Sequence, residues 1–291
     1  MQISELLRRP GPHLSIELFP PKTEKGKENL KTRLNQFKTF SPDFMSVTYG
    51  AGGSTRSGTL ELSTYVQKQL SVPAMAHLTC VNHSKSDISA VADEIKSAGI
   101  SNIMALRGDP PAGEKTYPKT ENGFNFSSEL ISFLKSKGGL SIGAACYPEG
   151  HVEAATFEKD LDAVKAKIDA GADFLVTQFF LDNQYFFRFR DILASKQISI
   201  PLLPGILPIS NYAQITKFSI PCGCTIPARV MKGLNGRSDE DQEKFGLDHA
   251  ASQIEELLNS NVDGVHLYAL NKQHAVERLA PIVRNSKLAK E

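Results

Sequence analysis

Short β-rich runs recur along the whole chain at intervals of about thirty residues, and this repetition restricts the fold more than any other feature. The runs are LSIELF (14–19), FMSVTY (44–49), AMAHLT (74–79), NIMALR (102–107), SIGAACY (141–147), DFLVTQF (173–179), LLPGI (202–206) and VHLY (265–268). Between them lie stretches with helical spacing, such as Ile88, Val91, Ala92 and Ile95, or Leu161, Val164 and Ile168. Strand–helix alternation without a long polar linker predicts parallel strands joined by crossover helices. Eight such units close a (β/α)8 TIM barrel, an α/β fold in a single domain over 1–291. The rival is a doubly wound open sheet, but no GxGxxG follows the first run and no GxxxxGK[ST] occurs anywhere.

Around this frame, residues 1–12 read as an N-terminal extension or helix. The segment 207–264 is longer than the other crossovers and is expected to hold two helices, near 211–219 and 239–259, with the capacity to form a lid. The charged stretch 284–291 reads as a fraying tail.

Charge narrows the class of partner. The 33 basic and 32 acidic side chains are spread along the sequence and leave a net charge of +1, so no field attracts nucleic acid or an anionic membrane. No apolar run approaches the roughly 20 residues that span a bilayer, and the N-terminus lacks the apolar core of a secretion signal. A cytoplasmic enzyme acting on small molecules is expected. Cys80, Cys146, Cys222 and Cys224 are too scattered for a disulfide framework. Cys222 and Cys224 could form half of a metal site, but no Cys or His cluster completes it, and no metal is inferred.

In a barrel, chemistry gathers where strands end and βα-loops begin. Glu17 sits between Ile16 and Leu18, and period-2 alternation puts it on one face with Ser15 and Phe19. If Ile16 and Leu18 pack outward, Glu17 points into the barrel, where a bare carboxylate is costly, its pKa should rise, and it suits a general acid. A structural carboxylate held by an arginine or backbone donors fits the same position. RGDPP at 107–111 puts Arg107 and Asp109 on a proline-stiffened loop, as a second carboxylate of the site or as an Asx-type turn. Further strand-end polar residues are Thr48 and Tyr49, His77 and Thr79, Tyr147 with Glu149 and His151, Thr177 and Gln178, and His266 with Tyr268. Tyr147 or Tyr268 could equally plug the barrel mouth. Together they describe a wide polar pocket.

Taken in order, ELFPPK (17–22), SVTYGAGGSTR (46–56), HLTC (77–80), ALRGD (105–109), CYPEGH (146–151), TQFF (177–180), PGILP (204–208) and LYALN (267–271) resemble the methylenetetrahydrofolate reductases, from about residue 13 to 272. The resemblance implies a barrel with noncovalent FAD, where NADH or NADPH and 5,10-methylenetetrahydrofolate use one flavin face in turn. It is to the bacterial type, the catalytic barrel alone, so feedback by S-adenosylmethionine is not expected. A homo-oligomer and a place in methionine biosynthesis are also implied.

Matched motif to motif, the resemblance makes Glu17 the acid that protonates a folate nitrogen and opens the five-membered ring to the iminium. Asp109 would lie near flavin and pterin as the second catalytic carboxylate, and Gln178 would hydrogen-bond folate. FAD contacts would fall to Thr48, Tyr49, Ala51, His77, Arg107, Gly108, Asp109, Tyr147, His151, Ala154, Asp160 and Lys167. Gln214 and Lys272 would touch substrate. The chain departs from the family's pattern at Lys272, where some relatives have arginine, at Phe126 in place of a tyrosine, and at Ala163 and Ala166 in place of polar groups. Two other readings share the barrel: a reductase that passes hydride directly from nicotinamide to folate without flavin, and a non-catalytic folate- or flavin-binding subunit.

Overall fold

A computed structural model of the chain describes residues 1–49, 56–109 and 120–286. The strands are β1 (His13–Leu18), β2 (Phe44–Val47), β3 (Ala74–Thr79), β4 (Asn102–Leu106), β5 (Ser141–Cys146), β6 (Phe174–Thr177), β7 (Leu202–Leu203), β8 (Gly205–Ile206) and β9 (Gly264–Leu267). They form one parallel sheet in the order β7-β6-β5-β4-β3-β2-β1-β9-β8. β7 pairs with β6 while β8 pairs with β9, so these two segments are one stave interrupted at Pro204, and the barrel has eight staves. Proline has no N–H for the ladder. Around the interruption, the Pro204 carbonyl accepts from the His266 N–H at 2.9 Å and the Gly205 N–H donates to Thr177 Oγ1 at 2.9 Å.

The helices α1 (Ile3–Leu6), α2 (Glu24–Thr39), α3 (Arg56–Lys68), α4 (Lys85–Ser97), α5 (Ser127–Ser136), α6 (Phe157–Asp169), α7 (Asn183–Ser195), α8 (Tyr212–Cys222), α9 (Ala228–Leu234), α10 (Asp239–Asn259) and α11 (Gln273–Arg284) complete the described fold. Side chains of Thr23, Ser84, Thr156, Asp182, Asn211 and Ser238 cap the first turns of α2, α4, α6, α7, α8 and α10. These caps satisfy N–H groups that the helices cannot pair internally.

Alternation along each strand sends one set of side chains outward and the other inward. Leu14, Ile16, Leu18, Val47, Ala76, Leu78, Ile103, Ile142, Val265 and Leu267 pack outward with the helices in the main apolar core. The inner floor is a separate cluster of Phe44, Met75, Met104, Phe174, Val176 and Leu203, plugged from below by Ile3, Leu6 and Leu7 of the N-terminal segment. Ile3 is fully buried, and burying such a side chain contributes about 2 kcal/mol. Asn102, at the base of β4, holds this plug: its Oδ1 accepts from the Ile3 N–H at 2.7 Å and its Nδ2 donates to the Ala74 carbonyl at 3.0 Å.

The segment 207–264 carries three helices rather than two. The additional one, α9, is only seven residues long, too short for apolar spacing to announce it in the sequence. It lies between Gly223, whose φ of +66° ends α8, and the long α10. Val230 and Leu234 of α9 pack with Phe179, Leu181, Leu207, Ile209 and Ile215 in a third cluster. Gly246 of α10 is required by close packing, because a Cβ there would run into the Ile209 carbonyl. Arg284, assigned to the tail in the sequence reading, is the last residue of α11 and donates to the Phe40 carbonyl at 3.2 Å and to Asp43 at 2.6 Å. Residues 287–291 lie outside the described residues.

Candidate active site

Above the apolar floor the barrel interior turns polar. Ile16 and Leu18 pack outward, so Ser15 and Glu17 of β1 point inward. Glu17 is 7% exposed and its Oε2 lies 3.5 Å from His77 Nε2 on β3 and 3.6 Å from His266 Nε2 on β9. The carboxylate is therefore held between two imidazoles rather than left bare or paired with an arginine. Burial pushes the His77 pKa down to about 4, against the opposing pull of Glu17, so His77 is neutral at pH 7. His266 is itself fixed, with Nδ1 2.7 Å from Ser15 Oγ and Nε2 3.4 Å from Ser46 Oγ. Tyr268 stands over this group, its ring 5.1 Å from that of His266 and its hydroxyl donating to the Thr177 carbonyl at 2.8 Å. It walls one side of the mouth beside Gly205, where any Cβ would meet the Tyr268 ring.

The ends of β4 and β5 form a charged rim. Arg107 donates from both guanidinium nitrogens to the two Glu153 oxygens at 2.6 Å, a bidentate pair joining the two loops. Gly108 follows with φ of +89°, and a Cβ there would come within 2.7 Å of Val81 Cγ1, so glycine alone fits this turn. Asp109 is exposed, and its charge adds to burial in pushing up the Tyr147 hydroxyl and the Cys222 thiol, which places it at the same rim. The Tyr147 ring meets His151 edge to face at 4.6 Å. Burial, with Arg107 nearby, holds the His151 imidazole below its ordinary range.

The Ala154 N–H donates to the His151 carbonyl at 2.9 Å and shapes this loop. Asp160 is 4% exposed, and its Oδ2 has no hydrogen-bond partner among the described residues. Burial raises its pKa against the pull of Lys167. Burial also lowers Lys167, whose Nζ donates to the Ala145 carbonyl at 2.8 Å.

Across the mouth, Thr48 and Tyr49 follow β2. The Thr48 backbone donates to Leu18 and accepts from Thr59 Oγ1, while the Tyr49 hydroxyl lies 3.2 Å from His83 Nε2. Ala51 lies outside the described residues. At the third side, the Gln178 N–H donates to Cys146 at 2.7 Å, continuing the β5–β6 ladder past the end of β6. Gln214 and Lys272 are 58 positions apart in sequence but meet at Ser210: the Ser210 N–H donates to Gln214 Oε1 at 2.7 Å, and Lys272 Nζ donates to Ser210 Oγ at 2.7 Å. Lys272 also donates to Glu243 of α10 at 2.7 Å.

The motifs and this geometry agree with what the chain is similar to. The family model described as methylenetetrahydrofolate reductase matches residues 2–284. The 5,10-methylenetetrahydrofolate reductase of Escherichia coli is 34% identical over 262 residues, covering 89% of this chain and 86% of that protein. The chain belongs to the methylenetetrahydrofolate reductase family.

Methylenetetrahydrofolate reductase (NADH) 1 of Arabidopsis thaliana is 38% identical over 270 residues, covering 88% of this chain and 46% of that protein, so the chain spans about half the length of the plant relatives it matches. In fold, a Clostridium thermocellum protein that binds two copies of 5-methyl-5,6,7,8-tetrahydrofolic acid superposes with a TM-score of 0.69 at 14% identity, over 97% of each chain. At that identity the likeness shows the shared barrel alone.

Measured against the family expectations, the barrel brings Glu17 and His77 together inside, gathers Arg107, Asp109, Tyr147, His151, Asp160 and Lys167 along one rim, and unites Gln214 with Lys272. Glu17 and Asp109 differ in setting, one buried inside and one exposed on the rim. Phe126 is 62% exposed at the N-cap of α5, and Ala163 and Ala166 of α6 are exposed. Sequence reasoning left His83, Glu153 and Glu243 without a role, and carried His266 only as one of several strand-end polar residues. Each acts through a partner far along the chain, and among these only His266 carried a local signal, its place on the inward face of a strand.

Among the described residues no helix is long and apolar enough to cross a membrane.

Proposed function

We propose that the protein reduces 5,10-methylenetetrahydrofolate to 5-methyltetrahydrofolate with NADH or NADPH as hydride donor, supplying methyl groups for methionine synthesis. Support comes from family membership and from one observation above all: a carboxylate buried inside the barrel between two imidazoles, at the position the family motif ELFPPK assigns to a proton donor.

The residues present fit a flavin dinucleotide. Buried His77 Nε2 and Asp160 Oδ2 are polar atoms without hydrogen-bond partners among the described residues, and each calls for a ligand group. A carboxylate in that state accepts from hydroxyls such as those of a ribose. Arg107, His151 and Lys167 supply the positive or donor groups that a diphosphate needs, and Thr48, Tyr49, Ala51, Gly108, Asp109, Tyr147 and Ala154 complete the proposed contacts. When bound, FAD supplies the two-electron carrier that takes hydride from the nicotinamide and passes it to the folate in alternate half-reactions.

The chain's own residues govern the proton and the placement. Glu17 donates a proton to the folate ring nitrogen, so that the five-membered ring opens to the iminium which accepts hydride. The neighbouring imidazoles and the apolar floor keep this carboxyl away from bulk water. Asp109 places a negative charge at the rim, which favours the cationic iminium. Gln178 hydrogen-bonds the folate. Lys272 and Gln214, joined at Ser210, bind the outer part of the substrate; Lys272 does so as a point charge, with less directional grip than the arginine of some relatives.

The test separates the half-reactions. Glu17→Gln is expected to slow folate reduction by at least about a hundredfold, the scale of lost general-acid catalysis, while flavin reduction by NAD(P)H stays near wild type. Equal loss of both would remove Glu17 from the proton step.

A further inference from the structure

Tyr49 and His83 lie on neighbouring loops, after β2 and β3, and their rings meet edge to face with centroids 5.8 Å apart. The Tyr49 hydroxyl is 3.2 Å from His83 Nε2, and His83 Nδ1 is 2.6 Å from the Val81 carbonyl oxygen. A carbonyl oxygen only accepts, so Nδ1 carries the hydrogen. In a neutral imidazole the other nitrogen is then a bare acceptor. One arrangement satisfies both contacts: the Tyr49 O–H donates to Nε2. A phenol has a single hydrogen, and once it is committed to His83 only lone pairs of the Tyr49 oxygen remain for anything else. His83 is 9% exposed, so water competes poorly for Nε2.

We propose that His83 is a positioning residue that fixes the Tyr49 hydroxyl as a hydrogen-bond acceptor, so that a ligand atom received there must carry a hydrogen. This rests on the reading above in which Tyr49 contacts FAD. A flavin dinucleotide offers such atoms in its ribityl hydroxyls and its ring N–H; its phosphate oxygens and ring carbonyls are disfavoured at this position. His83 thereby selects the orientation of the cofactor without touching it.

The experiment titrates the full-length apoprotein with FAD, reading Kd and the position of the flavin absorption band. It compares wild type, Tyr49→Phe, His83→Phe, the double variant and His83→Gln. Phenylalanine keeps the bulk of either ring but removes the hydroxyl or the acceptor, whereas glutamine returns an amide oxygen as acceptor. Each single phenylalanine variant is expected to weaken FAD binding by about threefold to tenfold, the worth of one neutral hydrogen bond. The double variant should lose no more than either single, the two singles should shift the flavin band alike, and His83→Gln should recover most of the affinity. Thermal unfolding without FAD checks that each variant folds.

Losses that multiply in the double variant, or a His83→Phe protein that binds FAD as wild type does, would overturn the inference and leave the proposed function standing. A folded wild-type protein that does not bind FAD overturns both.

Discussion

Glu17 and His77 face each other inside the barrel across 3.5 Å, carboxylate oxygen to Nε2, and that imidazole nitrogen has no hydrogen-bond partner among the described residues. The pair is not an ion pair at neutral pH, because burial holds the His77 pKa near 4. A neutral imidazole beside the buried carboxylate leaves its Nε2 as a buried polar atom for a ligand group to meet.

The buried imidazole makes stability depend on pH. An unfolded chain protonates this histidine below its ordinary pKa of 6.5, whereas the folded protein resists until about 4. Between those values the unfolded state binds the extra proton, so stability is full above pH 6.5 and falls as the pH drops toward 4, by up to about 3 kcal/mol. Urea unfolding at several pH values should show this slope, and His77→Gln should flatten it. An unchanged slope in the variant would assign the acid sensitivity to other groups.

Arg107 and Glu153 predict a contrast between stability and binding. Their paired side chains are 24% and 51% exposed, so the pair contributes little to folding: Glu153→Gln should change unfolding free energy by less than about 1 kcal/mol. Arg107→Lys keeps the charge but loses the planar fork, and FAD affinity should fall by about tenfold. A lysine variant that binds FAD as tightly as wild type would take the guanidinium geometry out of the cofactor site.

Beneath the site, Asn102 satisfies the Ile3 N–H and the Ala74 carbonyl in a fully buried setting. Asn102→Ala strands both groups and loosens the N-terminal plug, at an expected cost of about 2–4 kcal/mol in urea unfolding. A loss under 1 kcal/mol would mean that water replaces the amide and the floor is open.

The strand pattern made the barrel legible because each stave buries both faces and every crossover repeats the same period. Alternation set Glu17 on the face opposite Ile16 and Leu18, and the packing of those two residues in the outer core decides that this face is the inner one. What the pattern could not carry was pairing at a distance. Glu153 meets Arg107 across two loops, Glu243 meets Lys272 from a helix outside the strand repeat, and His83 meets Tyr49 between neighbouring staves. Nor could it foresee the break at Pro204, because LLPGI reads as one continuous run until the ladder shows which N–H is missing. The short α9 escaped for want of length.

The visible spectrum of the purified protein tests the central claim most directly, recorded anaerobically before and after NADH or NADPH and then after 5,10-methylenetetrahydrofolate. The account predicts a flavin band that bleaches with the nicotinamide and returns with the folate. An active but colourless protein would contradict it in favour of direct hydride transfer, and a flavin band that folate fails to restore would reduce the chain to a flavin-binding barrel.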